Sequence, residues 1–395
     1  MDWIELAETF GTPTYAYDRN ALLENVRFFK RAIGPESLLA VAVKANANPQ
    51  LLRILAKEGT GADIVSGGEM RLTLGAGIPA ERTIFSGIGK TDAEIRAAIE
   101  NGLLCLNVES QGECDRIRRI ATDRGKTVGI SFRVNPNIAI DSHPKISTGL
   151  WEHKFGMSED DVMTACRGLR GVPEVRVLGF HAHLGSQILE REPLQALSEQ
   201  TPRLAGALTQ ALDYPLTFVN WGGGYGVTSD GSRPAWLESW LGEAASLSAS
   251  LGLRAVFEPG RSIFANTGTL VTRVIEIKRN ARKTFVVVDA GMNDLVRPAM
   301  YGAIHPITKA GPASGKTMRA DIVGPVCESS DTFATDLSID ANLTYGDLLL
   351  IHQAGAYGYA MASTYNQRPK PAEILLEEGI PPRLIRPRGF ESLPS

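Results

Sequence analysis

Along the first two-thirds of the chain, short apolar runs alternate with longer stretches whose apolar positions recur every three or four residues. Short runs rich in β-branched residues predict strands, and the longer spacing predicts amphipathic helices. The strand candidates are Leu38–Val43, Ala62–Val65, Thr83–Ser86, Leu103–Val108, Val128–Val134, Val175–His181, Leu216–Asn220 and Arg254–Glu258. Helical stretches fall between them, among them Pro49–Glu58, Gly67–Ala76, Asp92–Glu100, Gly112–Arg124 and Ser158–Arg170. Eight strand–helix repeats in roughly 220 residues predict an α/β fold, a (β/α)8 TIM barrel. A doubly wound sheet is the rival, but it sets no limit at eight repeats.

The texture changes after Arg261. Thr269–Lys278, Thr284–Asp289, Met318–Val323 and Leu348–His352 alternate or carry β-branched residues, with no long helical pattern between them. They predict a C-terminal β domain. The run Thr12-Pro-Thr-Tyr-Ala-Tyr17 near the start is a candidate to join it. The expected division is a barrel over 26–260, with 1–25 and 261–395 forming a β-sandwich or barrel-like domain. The Pro- and Arg-rich tail beyond about Gly379 is expected to be loosely held.

In such barrels the reactive groups sit just beyond the C-terminal ends of the strands. That rule collects Lys44 after the first strand, Ser66 after the second, Asn135 after the fifth and His183 after the sixth. Gly222-Gly223-Gly224 follow the seventh, and Glu258-Pro-Gly-Arg261 end the eighth. Glycine-rich loops after the last two strands suit a phosphate, because bare N–H groups can approach an anion closely. A lysine amine at a strand tip is placed to meet an aldehyde. Together with His183–Gln187 and Gly355–Gly358, these segments read as one site for pyridoxal 5'-phosphate. Lys44 would bond the aldehyde, Glu258 would pair with the ring nitrogen and His183 would stack on the ring. The glycines and the Gly260-Arg261 backbone would meet the phosphate. Singly, each feature is ordinary: a strand-end lysine, a structural histidine, a glycine turn. Their shared position carries the reading.

Composition narrows the class. The chain has 395 residues, 43% of them apolar and 22% charged, as in ordinary globular proteins. A formal net charge of −3 gives no reason to expect a nucleic-acid partner. No apolar run approaches the roughly 20 residues that cross a bilayer, so no membrane association is expected. The opening Met1-Asp-Trp-Ile-Glu5 lacks the regions of a signal peptide. Cys105, Cys114, Cys166 and Cys327 show no metal-type spacing, no metal is expected, and a reducing cytoplasm is the simplest compartment.

Specific motifs run through nearly the whole chain, from about Thr12 to Leu376. They include Ala42-Val-Lys-Ala-Asn46, His143-Pro-Lys-Ile-Ser-Thr-Gly149, Lys154-Phe-Gly156, His183-Leu-Gly-Ser-Gln187 and Gly222-Gly-Gly-Tyr-Gly226. Glu258-Pro-Gly-Arg261, Arg297-Pro-Ala-Met-Tyr301, Cys327-Glu-Ser329 and Gly355-Ala-Tyr-Gly-Tyr-Ala-Met361 complete the set. With them the chain resembles the diaminopimelate decarboxylase branch of the alanine-racemase-fold (type III) pyridoxal phosphate decarboxylases. The resemblance implies that Lys44 holds the cofactor covalently, with Asp63 nearby and His183 against the ring. It implies phosphate contacts from Ser186, Gly223, Gly224, Gly260, Arg261 and Tyr357, and Glu258 on the ring nitrogen. Arg261, Arg297, Tyr301, Glu328 and Tyr357 are implied in substrate binding. Cys327, implied as catalytic, and Glu328 would enter the site from a partner subunit, so a homodimer is implied.

The implied activity is decarboxylation of meso-diaminopimelate to L-lysine and CO2. An arginine fork matches a distal carboxylate in two parallel bonds and would repel the cationic ends of ornithine and arginine. Trp221, Thr364 and the short interval from Gly226 to Glu258 leave a related decarboxylase open, one acting on a different amino acid, free or carrier-bound, in a siderophore or natural-product pathway. A racemase is disfavoured by Glu258, since racemases of this fold pair the ring nitrogen with arginine. A barrel-only cofactor-binding protein is disfavoured by Thr269–Leu376.

Overall fold

The computed structural model describes residues 2–140, 154–312 and 314–390. The chain divides into two compact units. One comprises Asn25–Val227 and Arg233–Ser262; the other comprises Met1–Glu24, Thr228–Ser232 and Ile263–Ser395.

Strand β1 (Thr14–Asp18) belongs to the second unit. The first is built on β2 (Leu38–Ala42), β3 (Gly61–Ile64), β4 (Thr83–Phe85), β5 (Cys105–Val108), β6 (Val128–Arg133), β7 (Val175–His181), β8 (Phe218–Asn220) and β9 (Arg254–Phe257). All pair in parallel, and β2 also pairs with β9, so the sheet closes as a TIM-like barrel. Closure rules out the doubly wound alternative, which has open edges. Deep in the barrel, Leu38, Ala40, Ile84, Cys105, Phe218 and Val256 form an apolar layer.

Toward their C-terminal ends the strands and their exits change character. Asp63, Ser86, Asn107, Ser131, Arg133, His181, Asn220 and Glu258 are all buried there. Buried polar groups must find partners, and these largely find one another. Asn107 Nδ2 donates to Ser86 Oγ at 2.8 Å, Ser131 Oγ donates to Asn107 Oδ1, and Arg133 Nη1 donates to Glu109 Oε1 at 3.1 Å. The loops above this layer are tied by helix caps. Ser66, Thr91 and Ser110 each accept from the N–H three residues on, at Glu69, Glu94 and Glu113. The Ser/Thr-x-x-Glu spacing supplies the reciprocal carboxylate, and at Thr91–Glu94 both halves of the capping box form.

The predicted barrel strands match to within two residues at each end. Lys44 follows the first barrel strand as expected: β2 ends at Ala42, and Val43–Ala45 forms a 3₁₀ turn that carries the lysine.

The second unit contains β1, β10 (Gly268–Arg279), β11 (Thr284–Val288), β12 (Ile307–Lys309), β13 (Thr317–Val323), β14 (Thr332–Asp340), β15 (Leu348–Ile351), β16 (Ala372–Glu377) and β17 (Ile380–Arg386). Their main order is β14-β13-β11-β10-β1-β16-β17, with β15 joining β10 and β12. The N-terminal run thus becomes an interior strand, antiparallel to β10 and parallel to β16. Leu6, Ala16, Val271, Leu350 and Ile374 pack as a core cluster, with Trp3 and Phe10 against it.

The tail departs from expectation. Ile380–Arg386 is a strand antiparallel to β16. Pro381 and Pro382 have no N–H, which suits the terminal place of β17 in the sheet order. Arg386 Nε donates to the fully buried Glu373 Oε2 at 2.7 Å, anchoring the strand. Among the described residues, no helix is long and apolar enough to cross a membrane.

Candidate active site

At the barrel mouth Lys44 Nζ donates to Asp63 Oδ2 at 2.7 Å. The lysine side chain is 36% exposed and the aspartate 1%, so the amine faces the opening while its partner is sealed below it. Burial first, then the charge of Glu258, raises the Asp63 carboxyl above the usual range, against the pull of Lys44. Glu258 goes the other way. Burial would raise it, but His181, Lys44 and Asn220 outweigh burial and hold it low, hence ionised. Asn220 Nδ2 donates to Glu258 Oε1 at 2.6 Å, and His181 Nε2 stands 3.1 Å from Oε2. Two buried carboxylates below one amine are thus driven apart in basicity.

His183 lies just past β7. Its Nδ1 accepts from Gly223 N at 3.2 Å, which leaves the ring hydrogen on Nε2. Burial, then the charges of Arg133 and Lys44, pushes this imidazole well below its ordinary pKa, so it is neutral at pH 7. The glycine triplet is a packing requirement. A Cβ at Gly222 would lie 2.3 Å from Ala182 O, at Gly223 2.0 Å from Glu258 O, and at Gly224 2.1 Å from Gly185 O. Gly222 and Gly224 also have φ of +66° and +95°. The Gly223 N–H is spent on His183. Ser186 Oγ accepts from Arg261 Nη2 at 2.8 Å, and Gly260 is buried in the loop after β9.

The remaining predicted residues belong to the sheet unit. Arg297 and Tyr301 bound a short helix, Arg297–Tyr301. Cys327 and Glu328 are exposed; Cys327 N donates to Asn366 Oδ1 at 3.0 Å and Tyr365 OH to Glu328 Oε2 at 3.1 Å. Tyr357 holds a left-handed φ of +58°, a strained backbone for a non-glycine residue. Gly355 packs so tightly that a Cβ would lie 2.0 Å from Phe264 O.

Residues 19–265 match the pyridoxal-binding domain of the pyridoxal-dependent decarboxylase family. A diaminopimelate decarboxylase from Zymomonas mobilis is 42% identical over 390 residues, covering 97% of this chain and 92% of that protein. One from Neisseria meningitidis is 43% identical over 384 residues, covering 97% and 94%. The chain belongs to the diaminopimelate decarboxylase branch of the pyridoxal-dependent decarboxylases. The crystal structure of the Helicobacter pylori diaminopimelate decarboxylase complexed with L-lysine superposes with a TM-score of 0.93 at 41% identity, covering 98% of this chain and 97% of that one.

Several side chains in this decarboxylase escaped the motif reading. His181 and Asn220 end adjacent barrel strands, are paired in register and grip Glu258. The available signal was a polar residue closing an otherwise apolar parallel strand. His305 and His352, which orient Arg297, had no local signal. Of the family motifs, His143–Gly149 lies outside the described residues. Lys154-Phe-Gly156 packs at the barrel, with the Arg133 guanidinium 4.7 Å from the Phe155 ring centre and Gly156 N donating to Glu109 Oε2 at 3.1 Å.

The barrel site fits pyridoxal phosphate on its own terms. It offers a partly exposed lysine, a buried carboxylate held ionised and a neutral imidazole.

Proposed function

We propose that this chain decarboxylates meso-diaminopimelate to L-lysine and CO2 with pyridoxal 5'-phosphate as cofactor. Identity of 42–43% to diaminopimelate decarboxylases across 97% of the chain carries the reading. When bound, pyridoxal phosphate accepts the electron pair left on the substrate α-carbon as CO2 departs. The protein's part is to hold and polarise it. Lys44 supplies the covalent anchor, and Asp63, 2.7 Å away, orients its amine. Glu258, kept ionised in a dry site, holds a proton on the ring nitrogen, which makes the ring a stronger electron sink. His183, neutral, offers its flat face without competing for that proton. Arg261, braced by Ser186, meets the phosphate together with Gly223, Gly224, Gly260 and Tyr357.

On this reading Arg261, Arg297, Tyr301 and Tyr357 contact substrate, with Arg297 and Tyr301 taking its distal carboxylate and Glu328 its distal ammonium. Cys327, as a catalytic residue, and Glu328 serve the site of a partner in a homodimer. All four cysteines are free, which suits the reducing cytoplasm.

The test is CO2 release by the cofactor-loaded protein from meso-diaminopimelate, beside L-lysine, L-ornithine, L-arginine and L-glutamate. Release from meso-diaminopimelate alone, with lysine as product, is expected. Turnover of ornithine or arginine instead would overturn the substrate assignment. A bound cofactor with no turnover of any of the five would favour a carrier-bound amino acid.

A further inference from the structure

We propose that His181 is a positioning residue, which aims the Glu258 carboxylate and supplies the hydrogen that keeps it an acceptor for the cofactor ring nitrogen. The proposal rests on the decarboxylase reading above.

The two side chains come from neighbouring parts of one wall. His181 ends β7, Asn220 ends β8, and Glu258 follows β9; His181 and Asn220 are register partners across the β7–β8 ladder. Glu258 has two oxygens and each is met from below. Asn220 Nδ2 donates to Oε1 at 2.6 Å, and His181 Nε2 stands 3.1 Å from Oε2. The second approach has the length of a hydrogen bond, though its direction falls short of good alignment. Contacts of this kind commonly tighten when a site is loaded. Both side chains are almost completely enclosed, at 2% and 4% exposure, so water cannot replace either partner freely.

The other ring nitrogen decides what His181 can do. Among the described residues neither His181 nitrogen meets full hydrogen-bond geometry, and Nε2 is the one that lies within reach of an acceptor, Glu258 Oε2. An unmatched lone pair is cheaper to bury than an unmatched N–H, so the tautomer with hydrogen on Nε2 is favoured. In that form the Nε2 hydrogen faces Glu258 Oε2, and a small rotation of the ring completes the bond while leaving the carboxylate its charge. An alkyl side chain in its place would leave Glu258 with burial unopposed on one oxygen, and a carboxyl that takes up a proton can no longer hold one on the ring nitrogen. The titratable groups that sense Glu258 are Lys44 beyond β2, Asp63 on β3, Cys105 on β5, His181 on β7 and Tyr225 beyond β8. Among them His181 is in direct contact with it.

The experiment compares wild type, His181→Ala and His181→Gln, each loaded with ¹⁵N-labelled pyridoxal phosphate. It reads the ring-nitrogen NMR shift, kcat and KM, and the melting temperature. For His181→Ala the expectation is a ring nitrogen that loses its proton at lower pH and a kcat about tenfold lower, the scale of one hydrogen bond to a charged group. KM should stay within about twofold. His181→Gln, whose amide can donate to Oε2, should recover most of both losses. A ring-nitrogen signal in His181→Ala that tracks wild type would overturn the proposal even with a lower kcat, since that pattern means packing alone. So would a Gln variant as impaired as Ala in both readouts while folded. If His181→Ala does not fold, the comparison of Gln with Asn at position 181 carries the same test, Asn being too short to reach Oε2. A wild-type protein whose cofactor is not attached to Lys44 would instead sink the decarboxylase reading itself.

Discussion

His305 Nε2 and Arg297 Nη1 are 3.0 Å apart, and on its other side His305 Nδ1 is 3.0 Å from the carbonyl oxygen of His352. A carbonyl can only accept, so Nδ1 carries the hydrogen and Nε2 offers its lone pair to the guanidinium. His305 is itself buried, so this relay fixes one arm of the Arg297 fork. If Arg297 takes the distal carboxylate, loosening it should weaken binding rather than slow the chemistry. His305→Ala is expected to raise KM for meso-diaminopimelate by about three- to tenfold with kcat within about twofold. Steady-state kinetics check this. An equal KM rise with a substrate lacking the second carboxylate would count against the relay.

Gly223 makes a sharper case. A Cβ there would lie 2.0 Å from Glu258 O and 2.8 Å from Glu258 C, and both are backbone atoms that cannot rotate away. Gly223→Ala must therefore push the loops after β8 and β9 apart and carry Glu258 with them. Cofactor affinity is expected to fall at least tenfold and the melting temperature by several degrees. Gly112 offers the contrast. It lies within the helix Gln111–Arg124, and nothing stands within 4 Å of its Cβ position. Gly112→Ala should leave cofactor binding alone and stabilise by about 0.5–1 kcal/mol. Cofactor titration and thermal melting of the two variants separate a crowded glycine from a free one.

This contrast also shows what was legible in the chain beforehand. Strands β2 to β9 announce themselves because a closed parallel barrel buries both faces, so each reads as an apolar run. The positions of Lys44, His183 and Glu258 just past strand ends were legible because a barrel's strand order sets them. Thr332–Asp340 and Ala372–Ile374 were not, because their environment lies in pairings across distant segments: Thr14 with Ala372 and Ile322 with Ala334. The tail misled because two prolines read as a breaker, whereas an edge position has no use for their missing N–H groups. Partners such as His181 to Glu258 and His305 to Arg297 are set by distance in space alone.

Asp294 in the sheet unit carries a pH dependence that stability measurements can read. It is buried, and burial raises its carboxyl to about 7, against a backbone hydrogen bond from Gly291 and the charges of Arg368 and Arg388. The unfolded carboxyl titrates near 3.9. Below that value both states are protonated and Asp294 has no effect on the balance. Between about 4 and 7 the unfolded state ionises while the folded state keeps its proton, so stability falls as pH rises, then levels off above 7. Asp294→Asn removes this slope. The exchanged amide will clash with one of two donors, since Gly291 N points at Oδ2 and Asn293 Nδ2 at Oδ1. That offset is independent of pH. Relative to wild type, the variant should gain on the order of 2–3 kcal/mol between pH 5 and pH 8, whatever its starting point. Denaturant unfolding at the two pH values measures the gain, and parallel stabilities for the two proteins would mean that Asp294 ionises normally in the fold.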